Sequence, residues 1–146
     1  MYVIINQIHH YGSWLVLLAA IWALYRAWTG FIGKKRWQKA DNTAGLVFTI
    51  LIDIQLLIGL VLYFFLSPLT QAAFADFGAA MKNSMLRFYA VEHILMMIIG
   101  LVLIHIGRSK AKKATSDISK HKITAIWFTI GFILILSRVP WDKIFG

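Results

Sequence analysis

Four long apolar stretches dominate this chain and decide what it can fold into. They cover about residues 7–28, 44–66, 85–107 and 123–139. Each is long enough to cross the hydrocarbon core of a bilayer as a helix, which takes about 20 residues. None alternates apolar and polar residues as the strands of a membrane β-barrel do. Because only helices and closed barrels satisfy their backbone hydrogen bonds in lipid, the pattern predicts an all-α integral membrane protein.

The composition excludes a soluble domain. Of the 146 residues, 60% are hydrophobic and only 14% are charged, whereas about 25% of a soluble chain is charged. The length leaves room for four spans and short linkers, so we expect a single transmembrane domain over residues 1–146. Short linkers favour an up-down-up-down four-helix bundle. The absence of cysteine excludes iron–sulfur clusters and covalently attached c-type haem.

The position of the basic residues predicts the orientation of the bundle. The net charge is +9, and most of the lysines and arginines lie in or beside the first and third linkers. The positive-inside rule then places both of these linkers in the cytoplasm and both termini outside. We expect a multi-pass membrane protein whose positive charge meets lipid headgroups and not nucleic acid. The first twelve residues lack the basic region of a cleavable signal peptide.

Two segments outside the apolar cores carry further predictions. Residues 67–83 begin with the helix breaker Pro68 and then space apolar residues at helical intervals, which predicts a short amphipathic helix on the outer surface. His121 lies in a Lys-His-Lys run before the fourth span. We expect it to be a solvated residue of a basic loop.

Polar side chains within the spans are few and mark the candidate sites, because an ionisable group in hydrocarbon must be paired, hydrated or functional. They are His9, His10, Asp53, Gln55, Glu92, His93, His105 and Arg138. At a rise of about 1.5 Å per residue, His10 and His93 lie level near the outer side to within about one turn. Neutral imidazoles from two facing helices can bind a haem iron between them. The spacing therefore predicts His10 and His93 as metal ligands, with His9 and His105 as alternatives.

The neighbours of this pair leave several alternatives open. Consecutive helical residues point about 100° apart, so only one of His9 and His10 can face His93, and we choose His10. Gly59 lies near the same level on the second span, where it leaves room either for a porphyrin or for close helix packing. Arg138 and Arg87 lie at the outer rim. They are candidates for binding haem propionates, or Arg138 ends its span and pairs with Glu92.

Asp53 lies near the middle of the second span, where an isolated charge is too costly. Its candidate partners are a tyrosine, a lower histidine such as His105, and a bound quinone or water. His105 lies close to the inner boundary, and we expect it to form a hydrogen bond between helices.

Several stretches together resemble a known group of proteins. They are His9-His10, Asp41-Asn42, QLLIGLVLYF at 55–64, Glu92-His93, GRSKAKKA at 107–114 and VPW at 139–141. Over most of its length the chain is similar to the small four-helix, cytochrome b-like membrane proteins of Gram-negative bacteria. The resemblance implies an integral protein of the bacterial cytoplasmic (inner) membrane that binds haem b.

The leading prediction is a haem b-binding electron carrier or a haem-binding subunit of a respiratory complex. A haem held by two histidines has no open coordination position, which suits one-electron transfer. We expect no enzymatic activity from the chain alone, since it lacks a Ser-His-Asp set, a phosphate loop and a metalloprotease motif. Expected partners are the lipid bilayer, a quinone, other respiratory membrane subunits or a second copy. The alternatives are a cofactor-free accessory subunit of a larger membrane complex, or a small proton-conducting bundle that uses Asp53, Gln55 and Glu92.

Overall fold

A computed structural model describes residues 1–145, and every regular element in this part of the chain is a helix. The helices are α1 (Tyr2–Ile32), α2 (Lys39–Val61), α3 (Pro68–Ala75), α4 (Phe77–Ala80), α5 (Ser84–Arg87), α6 (His93–Lys113), α7 (Asp117–Leu136) and α8 (Trp141–Phe145). A π-helical turn, Leu62–Leu66, prolongs α2, and a second one, Phe88–Glu92, joins α5 to α6.

Four helical segments are long and apolar enough to cross a membrane: Tyr2–Ile32, Lys39–Leu66, Ser84–Lys113 and Asp117–Leu136. This finding confirms the predicted all-helical class and the four candidate spans. The second, third and fourth segments extend past the apolar cores into residues that include lysine or arginine, and the backbone stays helical there.

The helix ends follow from local sequence. At the start of α2, the Gln38 backbone N–H donates to Asp41 Oδ2 at 2.7 Å, as one half of a capping box. The helical segment Lys39–Leu66 ends before Ser67. Ser67 has an extended backbone because a residue before proline avoids the helical region. Ser116 caps α7 by accepting a hydrogen bond from the Ser119 N–H at 3.2 Å.

The short helix predicted within residues 67–83 is present as two pieces. Asp76 separates α3 from α4 and accepts a hydrogen bond from a backbone N–H in the first turn of α4. Phe74 and Phe77 remain about half exposed. The helical character of the segment is confirmed, and its place on an outer membrane surface stays a prediction.

Small residues let the long helices approach closely. A Cβ built on Gly100 of α6 would lie 2.7 Å from the carbonyl oxygen of Gly131 in α7, and the reverse distance is also 2.7 Å. Backbone contact of this kind is typical of membrane helix pairs. Beside it, the Phe48 ring of α2 packs edge-on against Phe128 of α7 with ring centroids 5.5 Å apart.

The two ends of the bundle carry different side chains. We call one the histidine end, where His9 lies against Gly59 and His93 meets the backbone of Arg138. We call the other the basic end. Its residues include Arg26, Asp41, Arg108 and His121.

Candidate histidine site

Two histidines from different helices face each other at the histidine end. The rings of His9 in α1 and His93 in α6 have their centroids 6.4 Å apart and their planes 84° apart. The His10 ring instead lies edge-on to the neighbouring Tyr11 ring, at 5.2 Å. Because adjacent residues of a helix point in different directions, the structure replaces His10 with His9 as the residue that faces His93. Ligand binding by either residue stays a prediction.

The ring of His93 is held by a backbone carbonyl. Its Nδ1 lies 2.7 Å from the carbonyl oxygen of Arg138 in the chain segment after α7. A carbonyl oxygen only accepts, so Nδ1 carries the proton and donates, which leaves Nε2 of the neutral ring with a free lone pair. The Phe88 ring stacks on the same imidazole, with centroids 5.9 Å apart. Histidines that bind metals are commonly oriented by a hydrogen bond of this type.

The His9 ring lies beside a glycine, and one of its nitrogens is buried. A Cβ built on Gly59 would lie 3.1 Å from His9 Cε1, so the glycine lets the ring lie close to α2. Among residues 1–145, no group accepts a hydrogen bond from, or donates one to, His9 Nδ1. Such unpaired buried nitrogens are rare in folded proteins and call for an explanation.

A hydrogen-bonded cross-link fixes the backbone that carries His9. Gln55 Nε2 of α2 donates to the His9 carbonyl oxygen at 2.6 Å and to Ser13 Oγ at 2.9 Å. The sequence marked Gln55 without assigning it a partner, and it did not indicate Ser13. Ser13 lies one helical turn after His9. This spacing places both residues on one face of α1 and was the sequence signal that could have indicated Ser13.

A cavity of about 470 Å³ adjoins both histidines, within the roughly 300–1,000 Å³ typical of sites for organic ligands. Its polar lining includes His9, His10, Gln55, Tyr63, Thr70, Tyr89 and His93. Its apolar walls include Ile52, Leu56, Met97, Leu101 and Phe132. Gly59 also lines it, whereas Arg87 and Arg138 do not. Of the residues predicted to bind haem or its iron, His10, His93, Gly59 and the alternative ligand His9 therefore border this cavity, whereas the alternative ligand His105 does not.

The two predicted arginines share one carboxylate. Arg87 Nε lies 3.1 Å from Glu92 Oε2, and Arg138 Nε lies 3.2 Å from Glu92 Oε1. This is the pairing with Glu92 that the sequence analysis gave as one alternative for Arg138. Two guanidinium groups against one carboxylate leave an excess of positive charge close to His93.

Asp53 and His105 form a separate pair. His105 Nε2 of α6 lies 2.6 Å from Asp53 Oδ1 of α2, and the two side chains are 41% and 44% exposed. The expected hydrogen bond between helices is confirmed for His105. Neither residue lines the cavity beside His93.

The prediction that His121 is a solvated loop residue is wrong. The residue is 0% exposed, and its ring packs against Trp37 with centroids 4.9 Å apart. It is buried because α7 already begins at Asp117, so His121 lies within the helix and not before it. The N-cap residue Ser116 was the sequence signal for this earlier start.

Residues 1–145 contain no group of three or more His, Asp or Glu side chains that could hold a metal ion. The arrangement at the histidine end is a pair, which can serve only a metal whose remaining coordination positions are filled by another group. Comparison with protein-family models, curated protein sequences and solved structures found no match to this chain.

Proposed function

We propose that this chain is a membrane haem b-binding protein that carries electrons, alone or as the haem-binding subunit of a respiratory complex. The observation that carries the proposal is the His9–His93 pair beside a cavity of about 470 Å³. Two imidazoles from different helices that face each other in this way could together hold the iron of one haem.

The hydrogen bonding of the two imidazole rings also fits haem binding. The hydrogen bond from His93 Nδ1 to the Arg138 carbonyl leaves Nε2 unprotonated, as a ligand must be. His9 has a buried nitrogen without a hydrogen-bond partner among residues 1–145. Bound haem b would supply reversible one-electron transfer, and two histidine ligands would leave no position for oxygen.

Neighbouring residues have supporting roles in this proposal. Gln55 holds the backbone carbonyl of His9 and thereby sets the position of its ring. Arg87 and Arg138 pair with Glu92 and do not line the cavity, so we assign them no contact with the ligand; they add positive charge close to His93. Gly59 leaves the space that a side chain would take from the His9 ring.

We further propose that the bundle runs up-down-up-down in a bacterial inner membrane, with the histidine end and both termini outside. Contacts between α1 and α2 support the antiparallel arrangement, since Arg26 meets Asp41 near the linker and His9 meets Gly59 far from it. The basic first and third linkers support the cytoplasmic placement of the other end.

The colour of the protein tests the function. The full chain is expressed in haem-replete cells and purified in detergent, and its reduced absorption spectrum is recorded. We expect the sharp bands of a low-spin haem b in the wild type, and their loss in His9→Ala and in His93→Ala. His10→Ala and His105→Ala are matched controls and should keep the spectrum.

Two outcomes would contradict the proposal. A colourless wild type would remove the haem function and favour a cofactor-free accessory subunit. Loss of the spectrum in His10→Ala together with its retention in His9→Ala would overturn the ligand assignment.

A further inference from the structure

A second, smaller cavity lies at the basic end between α2, α6 and α7. Its volume is about 110 Å³, about a quarter of that of the cavity at the histidine end. Its charged lining consists of Arg108, Lys112, Lys120 and Asp41. The carboxylate of Asp41 is already engaged, since Arg26 Nε lies 2.8 Å from Oδ1. The cavity therefore has an excess of positive charge.

Arg108 is the central cation of this cavity. Among residues 1–145 it has no carboxylate within ion-pair distance. Its guanidinium reaches only the backbone oxygen and the side-chain oxygen of Asn42, at 3.3 and 3.4 Å. These bonds are long for a charged donor, whose hydrogen bonds to an anion are about 2.7–2.9 Å. The planar fork of Arg108 is thus available to bind an oxyanion with two hydrogen bonds.

The surrounding residues make room for this guanidinium and enclose it. A Cβ built on Gly45 of α2 would lie 3.0 Å from Arg108 Nη1 and 3.6 Å from the Phe128 ring. On another side the cavity is lined by Trp37, whose ring packs against the fully buried His121. The site is therefore part of the packed structure and not a loose cluster of surface charges.

The depth of Arg108 matches a lipid headgroup. It lies five residues before the end of α6 at Lys113, or about 7.5 Å along the helix axis. Lys120 Nζ already donates to the carbonyl oxygens of Ala111 and Lys112 in the last turn of α6, at 3.0 and 3.3 Å. The ammonium of Lys112 is exposed and remains available to a ligand that enters from the headgroup region.

We propose that the basic end binds a phosphate group through Arg108, with Lys112 as the outer cation. The phosphate belongs either to an anionic lipid headgroup or to free phosphate. Basic pockets between membrane helices commonly bind lipid phosphates. This site is independent of the proposed haem function, since it shares no lining residue with the histidine cavity.

Binding is tested on the purified full chain in non-ionic detergent, which carries no oxyanion. Short-chain phosphatidylglycerol, short-chain phosphatidylcholine and inorganic phosphate are titrated separately, and the Kd is taken from the shift in thermal midpoint. We expect phosphatidylglycerol to bind and phosphatidylcholine to bind far more weakly, because the choline ammonium next to its phosphate is repelled by the basic cavity. A response to inorganic phosphate of similar Kd would assign free phosphate as the ligand, whereas a response to phosphatidylglycerol alone would assign the lipid.

Three variants locate the site. We expect R108Q and G45A to raise the Kd about tenfold. R108Q removes the guanidinium group, and the Cβ that G45A adds displaces it. The matched control is K110Q, which removes a charge two residues away. Lys110 Nζ lies over the Trp127 ring, 5.8 Å from its centroid, and Lys110 does not line the cavity. K110Q should change the Kd less than twofold.

Equal losses in R108Q and K110Q would show a diffuse charge effect and overturn the proposal, as would the absence of any anion response in the wild type. The thermal midpoint without ligand shows whether each variant folds. If R108Q does not fold, G45A tests the site instead, because it keeps the charge of Arg108 and changes only the position of the guanidinium group. R108K serves as a fourth variant, with an intermediate loss expected because it keeps the charge without the planar guanidinium.

Discussion

Two histidines with buried ring nitrogens, one at each end of the bundle, lie against a glycine of a neighbouring helix. At the histidine end, His9 of α1 lies against Gly59 of α2. At the basic end, His121 of α7 lies against Gly30 of α1. Both rings have buried nitrogens without hydrogen-bond partners among residues 1–145, Nδ1 in His9 and both nitrogens in His121.

The surroundings of the two rings differ. His9 borders a cavity of about 470 Å³ and faces a second imidazole, that of His93. His121 is 0% exposed, does not line either cavity and packs against Trp37. An unpaired buried nitrogen can serve a ligand only where space and a second ligating group adjoin it, and of these two rings only His9 meets both conditions. On this reasoning His121 is a packing residue.

Gly30→Ala should have the largest effect on stability. A Cβ on Gly30 would overlap the His121 ring, which is enclosed on all sides and cannot move away. We expect the free energy of unfolding to fall by about 2 kcal/mol, the usual range for overpacking a core. The measurement is reversible unfolding by sodium dodecyl sulfate in mixed micelles, followed by circular dichroism.

A double-mutant cycle checks the cause of that loss. If the His121 ring is the obstacle, Gly30→Ala should cost much less in a His121→Ala background. If the losses in free energy of unfolding were additive in the double variant, the alanine at position 30 would clash with another part of the structure. The enclosure of the His121 ring would then not explain the loss in Gly30→Ala.

The sequence predicted the membrane class and the four spans because long apolar runs leave no other fold. It could not predict which of His9 and His10 faces His93. The reason is that α1 is apolar on all sides, since buried Val16 and exposed Leu15 are both apolar. No polar face therefore indicates which side of the helix points into the bundle. Choosing between adjacent residues needs the packing partner, here Gly59.

The burial of His121 escaped prediction for a different reason. Its neighbours Lys120 and Lys122 are typical of a solvated loop, and their charges concealed a helix that begins at Asp117. A lysine in the first turns of a membrane helix can keep its charged head near water while the backbone enters the bundle. The pairing of Asp53 with His105 was, by contrast, among the predicted alternatives, since an aspartate at that depth must find a partner.

His121→Leu should have a smaller effect of the opposite sign. Leucine fills a similar space and removes two buried ring nitrogens that have no partner among residues 1–145. We expect the free energy of unfolding to rise by about 1 kcal/mol, because burying an unpaired polar group is unfavourable. The control is His10→Leu at a partly exposed position, for which we expect a change within about 0.5 kcal/mol. A loss of stability in His121→Leu would show that the imidazole nitrogens make a favourable interaction.

Gly59→Ala should have the smallest effect on stability and so sharpens the contrast between the two ends. The added Cβ would lie 3.1 Å from His9 Cε1, a tight contact, but the ring borders a cavity into which it can shift. We expect a loss below about 1 kcal/mol in the same unfolding assay. The control is Gly78→Ala, where the nearest atom to the new Cβ is Asp76 Oδ1 at 3.8 Å. Because a shifted His9 ring no longer faces His93 as before, the proposed haem site predicts a lower haem content in Gly59→Ala than in Gly78→Ala. If Gly59→Ala instead destabilised the protein as much as Gly30→Ala, the His9 ring would be as enclosed as that of His121, and the difference between the two ends would not hold.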